Sequence, residues 1–350
     1  YLKKPQLFHF EIGVVGVFYV MFFYFVFLKY LNQAMNFTTK IDIPKNPNPI
    51  DYNSKIVSLG SCFAENMGDK LLYYKFQTQV NPFGIIFNPF SIEKLIERVV
   101  LQRYFTKDDI FFFNERWHCY EVHSELSDAD SEVFLSKLNQ ILSDTQKQLQ
   151  QATHIIITYG TSWVYRHIET NAIVANCHKV PQKQFSKELL SIDSTQKSIQ
   201  NTVSLIATLN PKCNFIFTVS PVRHLKDGFV ENQVSKAHLI AAIYATTNTK
   251  QQTLNYFPSY EIMMDELRDY RFYADDMMHP SPMAIDYIWE RFAATQIDAS
   301  AITTMELVQT IQKGLAHRPF NPNSESHQKF EANLKEKIAT LEAQYSFMKF

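Results

Sequence analysis

Beyond the first forty residues, short β-rich apolar runs alternate with longer stretches whose apolar side chains recur every three or four positions. The short runs Ile56–Leu59, Ile155–Tyr159, Phe215–Val219 and Glu261–Met264 read as strands. The periodic stretches read as helices: Ala64–Tyr74 through Met67, Leu71 and Leu72, Ser91–Leu101 with Ser91 as N-cap, and Ser131–Leu149 through Phe134, Leu138, Ile141 and Leu142. Thr195–Leu209 and Val234–Thr246 continue the series. Asn81–Asn88 reads as a loop and Ile110–Val122 as a hairpin or an insertion beside the active face. Strands separated by helices predict a parallel sheet with right-handed crossovers and helices on both faces, an α/β fold in three layers. Ligands in such sheets bind beyond the C-terminal strand ends. Gly60-Ser61, Gly160-Thr161-Ser162 and Ser220-Pro221 all fall there.

The two ends depart from this alternation. Residues Ile12–Leu28 are 17 consecutive positions without a charge, and as a helix they would span about 25 Å, just short of the roughly 30 Å hydrocarbon core of a bilayer. Lys3 and Lys4 before the run and Lys29 after it give a slight preference for a cytoplasmic N-terminus. The segment 1–34 therefore reads as a membrane anchor, or as an upstream extension of a cytoplasmic protein whose translation starts at Met35. From Ser324 onward, Phe330, Leu334, Ile338, Leu341 and Tyr345 recur at helical spacing, predicting an amphipathic helix that packs on the domain or on a second subunit. The expected organisation is 1–34 as hydrophobic segment, 35–320 as the α/β domain, and 321–350 as the C-terminal helix.

Composition adds exclusions. Hydrophobic residues make up 46% and charged residues 20% of the 350 positions, so a large core is expected and global disorder is not. A net charge of −1 without a basic cluster gives no sign of a nucleic-acid partner. Cys62, Cys119, Cys177 and Cys213 form no Cys-x-x-Cys pair and read as reduced. His118, His123, His154, His167 and His224 lack metal-ligand spacing; neither a metal nor a cofactor is expected.

The chemistry concentrates in two places. Ser61 follows Gly60 on a strand-to-helix turn, where a glycine lets the chain bend and the helix N-terminus favours negative charge. A serine hydroxyl needs a base to become a nucleophile. Asp276-Met277-Met278-His279 supplies an acid three residues before a histidine, just ahead of the helix start Ser281-Pro282. Ser61, His279 and Asp276 are thus candidates for nucleophile, base and orienting carboxylate. Cys62, the first residue beyond the turn, reads as structural.

Gly60-Ser61-Cys62-Phe63-Ala64, Asn81-Pro82-Phe83-Gly84 and Asp276-x-x-His279-Pro280-Ser281 together resemble the GSCFA domain family, a bacterial branch of the SGNH (GDSL-like) hydrolases, over roughly Met35 to Arg318. The resemblance implies a three-layer α/β/α fold and ester hydrolysis through an acyl-enzyme on Ser61. By superfamily analogy the substrate is an acyl ester of a carbohydrate or similar polar acceptor. A non-catalytic binding protein and an acyltransferase are the alternative readings. The family pattern makes the backbone N–H groups of Ser61 and Gly84 candidate oxyanion donors, each worth about 3 kcal/mol in the transition state when preorganised. The third SGNH donor, an asparagine two residues after a strand-ending glycine, is replaced here by Ser162 after Gly160, so the hydroxyl of Ser162 or Thr161 is a candidate donor in its place. Asn176 in the motif-like Asn176-Cys177-His178-Lys179 is a candidate substitute donor. His178 and Arg223 are candidate substrate contacts, and Trp163 and Tyr165 read as pocket wall or, as aromatics beside a strand usually are, as core.

Overall fold

In the computed structural model, residues 38–248 and 253–350 are described; the apolar run 12–28 lies outside them. Among the described residues, no helix is long and apolar enough to cross a membrane. Residues Ile41–Phe350 form one compact unit.

Five parallel strands make the central sheet: β1 (Lys55–Gly60), β2 (Gln77–Val80), β5 (His154–Tyr159), β9 (Asn214–Val219) and β10 (Leu254–Phe257), in the spatial order β10-β9-β5-β1-β2. Side chains alternate across it. Val57, Leu59, Ile155, Ile157, Tyr159, Phe215, Phe217 and Val219 enter one core, while Ile56, Ile156, Ile216 and Phe257 enter another. Helices α2 (Pro89–Val100), α3 (Ser131–Gln151), α4 (Ile192–Leu209) and α5 (Phe229–Thr247) cover the first face. Helices α1 (Cys62–Tyr73), α6 (Pro282–Gln296), α7 (Ala299–Ala316) and α8 (Glu325–Gln344) cover the second. Two apolar cores separated by one sheet are what near-continuous apolar strands require, because both of their faces must leave water.

Two strand-end insertions complete the first face. A hairpin, β3 (Phe111–Phe113) with β4 (Arg116–His118), occupies the segment expected to form one. Between β5 and α4 lies an antiparallel sheet that the sequence pattern does not predict, with β6 (Trp163–His167) between β7 (Ile173–Val174) and β8 (Phe185–Leu189). Val174, Val180 and Phe185 pack there with Phe111, Phe113 and Tyr120 of the hairpin region.

Two local expectations need correction. Asn88, not Ser91, caps α2: its side chain accepts the Ser91 N–H and Pro89 occupies the first turn, where a missing N–H costs nothing. The run Glu261–Met264 is not a strand. The strand is β10, and a helical turn (Ser259–Glu261) continued by a wide π turn (Ile262–Glu266) follows it, burying Ile262 and Met263. The C-terminal amphipathic helix is α8, which packs on α7 of its own chain, with the Leu334 side chain seated against Gly314. All four cysteines are free.

The strand order places the site. Within the central sheet the chain runs β2-β1-β5-β9-β10, so successive connections leave β1 in opposite directions along the sheet. The crevice at such a reversal, beyond the C-terminal ends of β1 and β5, is where doubly wound sheets bind ligands.

Candidate functional site

Ser61 stands at that reversal, between β1 and α1. Gly60 has φ +137°, which only glycine adopts without strain, and its N–H donates to Asn81 Oδ1 at 2.8 Å. The loop after β2 is laced across the strand ends: Ile86 N–H donates to Gly60 O at 3.0 Å and Gly160 N–H to Phe87 O at 2.7 Å. Ser61 caps α1, its Oγ accepting the Phe63 N–H at 3.3 Å, so the positive end of the helix dipole favours negative charge on that oxygen. The residue is almost wholly buried. Cys62 packs against the second core with its thiol pKa raised, chiefly by burial, which leaves it a poor thiolate beside Ser61.

Asp276 and His279 are joined directly. Asp276 Oδ2 lies 2.6 Å from His279 Nδ1, while its Oδ1 accepts the backbone N–H groups of Met278 at 2.8 Å and His279 at 2.9 Å. The carboxylate therefore builds the turn and orients the ring. Those two backbone donors and the imidazole pull its pKa down to about 2. Side-chain exposures of 45% for His279 and 39% for Asp276 put the pair on the rim of the fold. A ring whose Nδ1–H is held by a carboxylate presents Nε2 as a proton acceptor. The loop is tied down to the end of β9, where Arg223 N–H donates to Met278 O at 3.1 Å. Asp275 has no such role: the pairing carboxylate is Asp276.

The expected oxyanion donors fare differently. Ser61 N–H continues the β1–β5 ladder, donating to Thr158 O at 3.0 Å, and Gly84 N–H closes a turn onto Asn81 O at 2.8 Å. Gly84, at φ +75°, is needed for close approach, since a Cβ there would sit 2.3 Å from His123 Cβ. Ser162 is fully buried and turned into α5, its Oγ 3.1 Å from Ser235 O and 3.2 Å from Ser235 Oγ. Asn176 Oδ1 accepts the His178 N–H at 2.8 Å and so shapes its own turn. His178, only 4% exposed, cannot meet a substrate as placed: its Nε2 bonds Cys119 O at 2.7 Å. Burial above all, with the charges of His118 and His123, pushes its pKa down to about 4. Arg223 stays at the rim, its guanidinium 3.8 Å from the Tyr273 ring centroid and 5.2 Å from that of Tyr270; among the described residues it forms no ion pair.

Several residues at the site were given no role there by the sequence. Lys236 of α5 is fully buried and its Nζ donates to Gly160 O at 2.6 Å and Ser220 O at 2.7 Å, binding the ends of β5 and β9 together. A buried lysine inside a helix has no sequence signal, because its partners are carbonyls far along the chain. Asn81, Glu65, His123 and Glu125 cluster on the β2 side of Gly60; burial foremost raises the Glu65 pKa.

Burial lowers the Lys236 pKa to about 7, against about 10.4 in an unfolded chain. Between those values the unfolded chain holds more protons, so the stability contribution of this residue rises with pH across that window. Wild type is therefore expected to gain on Lys236→Met in urea-unfolding free energy between pH 7.5 and pH 9.5. Parallel pH dependences for the two proteins would contradict this placement.

A model described as the GSCFA family matches residues 55–292, and one described as the GSCFA domain protein, C-terminal domain, matches residues 308–350. No curated protein matches the chain.

Proposed function

The chain belongs to the GSCFA family, and from that premise we propose that it is a serine hydrolase of SGNH type that cleaves esters through an acyl-enzyme on Ser61. The observation that carries the reading is the 2.6 Å contact between Asp276 Oδ2 and His279 Nδ1, on a loop anchored at the sheet edge from which Ser61 opens α1.

Ser61 Oγ attacks the ester carbonyl carbon as His279 Nε2 takes its proton. The imidazolium, stabilised by Asp276, returns that proton to the departing alcohol, leaving the acyl group on Ser61. Water activated by the same ring then releases the acid. A second alcohol in place of water makes the chain an acyltransferase through the same intermediate. The preferred substrate is an acyl ester on a carbohydrate or related polar acceptor, by superfamily analogy. Arg223, stacked on Tyr273 with no acidic partner among the described residues, suits an acceptor that carries a carboxylate or phosphate.

A second reading, a binding protein that keeps the fold without turnover, is favoured by the engagement of the Ser61 and Gly84 N–H groups. The two readings separate in one experiment. The full chain and Ser61→Ala are presented with 4-nitrophenyl acetate and with acetylated sugars, and acetate release is measured. The hydrolase reading expects release that Ser61→Ala abolishes. Saturable sugar-ester binding by both proteins, with no release, would establish the binding protein instead.

A further inference from the structure

The backbone donors expected to receive the oxyanion are engaged elsewhere, and so is the Ser162 hydroxyl, while Asn176 is held in its own turn by the bond its side-chain oxygen accepts from His178 N–H. A hydrolase built on Ser61 requires another donor, and the buried polar atoms without a hydrogen-bond partner near the strand ends include Thr158 Oγ1, His123 Nδ1 and His224 Nε2. Buried polar atoms are almost always satisfied, and leaving one bare costs about 1–3 kcal/mol.

The surroundings of His224 Nε2 explain what it faces. His224 follows β9 by five residues, and its backbone N–H is fixed by Asn232 Oδ1 at 2.9 Å. The ring lies against Phe87, with centroids 5.5 Å apart. Nε2 points toward Gly160, the residue just beyond β5: a Cβ built on Gly160 would stand 3.3 Å from it. Phe87 Cβ would stand 2.8 Å from the same built Cβ, so residue 160 must lack a side chain for Phe87 and the His224 ring to close on the end of the strand that pairs with β1. The Gly160 carbonyl accepts from Lys236 Nζ and makes no bond to His224 Nε2. The neighbouring charges fix the protonation state. Burial first, then Lys236 and His279, drive the His224 pKa down to about 3. Near neutral pH the ring is thus an uncharged imidazole, unable to compete with His279 as base and able to donate one N–H.

We propose that His224 is the oxyanion donor of this site, presenting Nε2–H to the carbonyl oxygen of the ester as it becomes negatively charged. The proposal rests on the hydrolase reading and supplies the donor that the expected residues do not. In the tetrahedral species the new bond joins Ser61 Oγ to the acyl carbon. The carbonyl π electrons move onto oxygen, and His224 stabilises that charge without transferring its proton.

Three measurements test it. Wild type is first assayed against Ser61→Ala, and absence of Ser61-dependent turnover overturns the hydrolase reading and this proposal together. With that turnover established, His224→Phe is expected to lower kcat/KM and the rate of fluorophosphonate labelling by about 10²–10³-fold at an unchanged unfolding midpoint. His224→Gln, which restores a side-chain N–H, is expected to recover at least about tenfold of the loss. A His224→Phe enzyme within about threefold of wild type would overturn the proposal and leave the hydrolase reading standing. Independently of activity, long-range ¹H–¹⁵N correlation on the full chain, assigned through His224→Gln, is expected to find the ring proton on Nε2. A proton on Nδ1 would refute the assignment even if His224→Phe failed to fold.

Discussion

His279→Ala is expected to lower ester turnover by about 10⁴–10⁶-fold, as loss of the base of an acyl-enzyme site does, with little change in stability. The stability half of the expectation follows from exposure. His279 is a rim residue whose side chain is 45% exposed, so its removal opens no core cavity. The kinetic half follows from the hydroxyl of Ser61, which is nucleophilic only if its proton has somewhere to go. Asp276→Asn should be milder, about 10²–10⁴-fold, because the turn survives while the ring is offered an amide donor in place of a carboxylate acceptor. With its pKa down at about 2, Asp276 stays ionised throughout the ordinary assay range. Any loss of activity below neutrality therefore reports a different group. Stopped assays on the three proteins at matched folded concentration measure this, and a His279→Ala enzyme within tenfold of wild type would remove His279 from the chemistry.

Gly60→Ala should be the most damaging glycine-to-alanine change among the described residues. The residue sits at φ +137°, and the added Cβ would lie 2.1 Å from Thr158 O, 2.8 Å from Thr158 C and 2.9 Å from Thr158 N. Backbone atoms of the central strand cannot swing aside as a flexible side chain can. Relief requires β1 to part from β5 next to Ser61, breaking the Ser61–Thr158 bond. Backbone strain and overpacking each cost about 1–3 kcal/mol, so a loss of at least about 3 kcal/mol is expected. Urea unfolding with wild type as reference checks it. A cost below about 1 kcal/mol would mean that the strand ends are not packed as described.

Much of the architecture was legible because parallel strands buried on both faces leave continuous apolar runs that helical stretches interrupt at regular intervals. The run Ile155–Ile157 could hardly be anything else. Glu261–Met264 misled because four apolar or long residues in a row satisfy a buried π turn as well as a strand; the true strand, Leu254–Phe257, is just as short. The small sheet β6–β8 stayed hidden for another reason. Its register joins Trp163 to Leu189 across an intervening turn and loop, and no local periodicity reports such pairing. At the site, Ser61 and the Asp276–His279 spacing could be read because their roles depend on neighbours in sequence. The donors could not. Whether the N–H of Ser61 or Gly84 is free depends on Thr158 and Asn81, and His224 and Lys236 acquire meaning only through Gly160.

The central claim is that Ser61 is a nucleophile activated by His279, and intact-mass analysis after fluorophosphonate treatment of the full chain tests it whatever the natural substrate is. The predicted result is one adduct per chain, mapped to Ser61 and absent from both Ser61→Ala and His279→Ala. A folded wild-type protein that takes up no label, or takes it up equally after His279→Ala, would contradict the account.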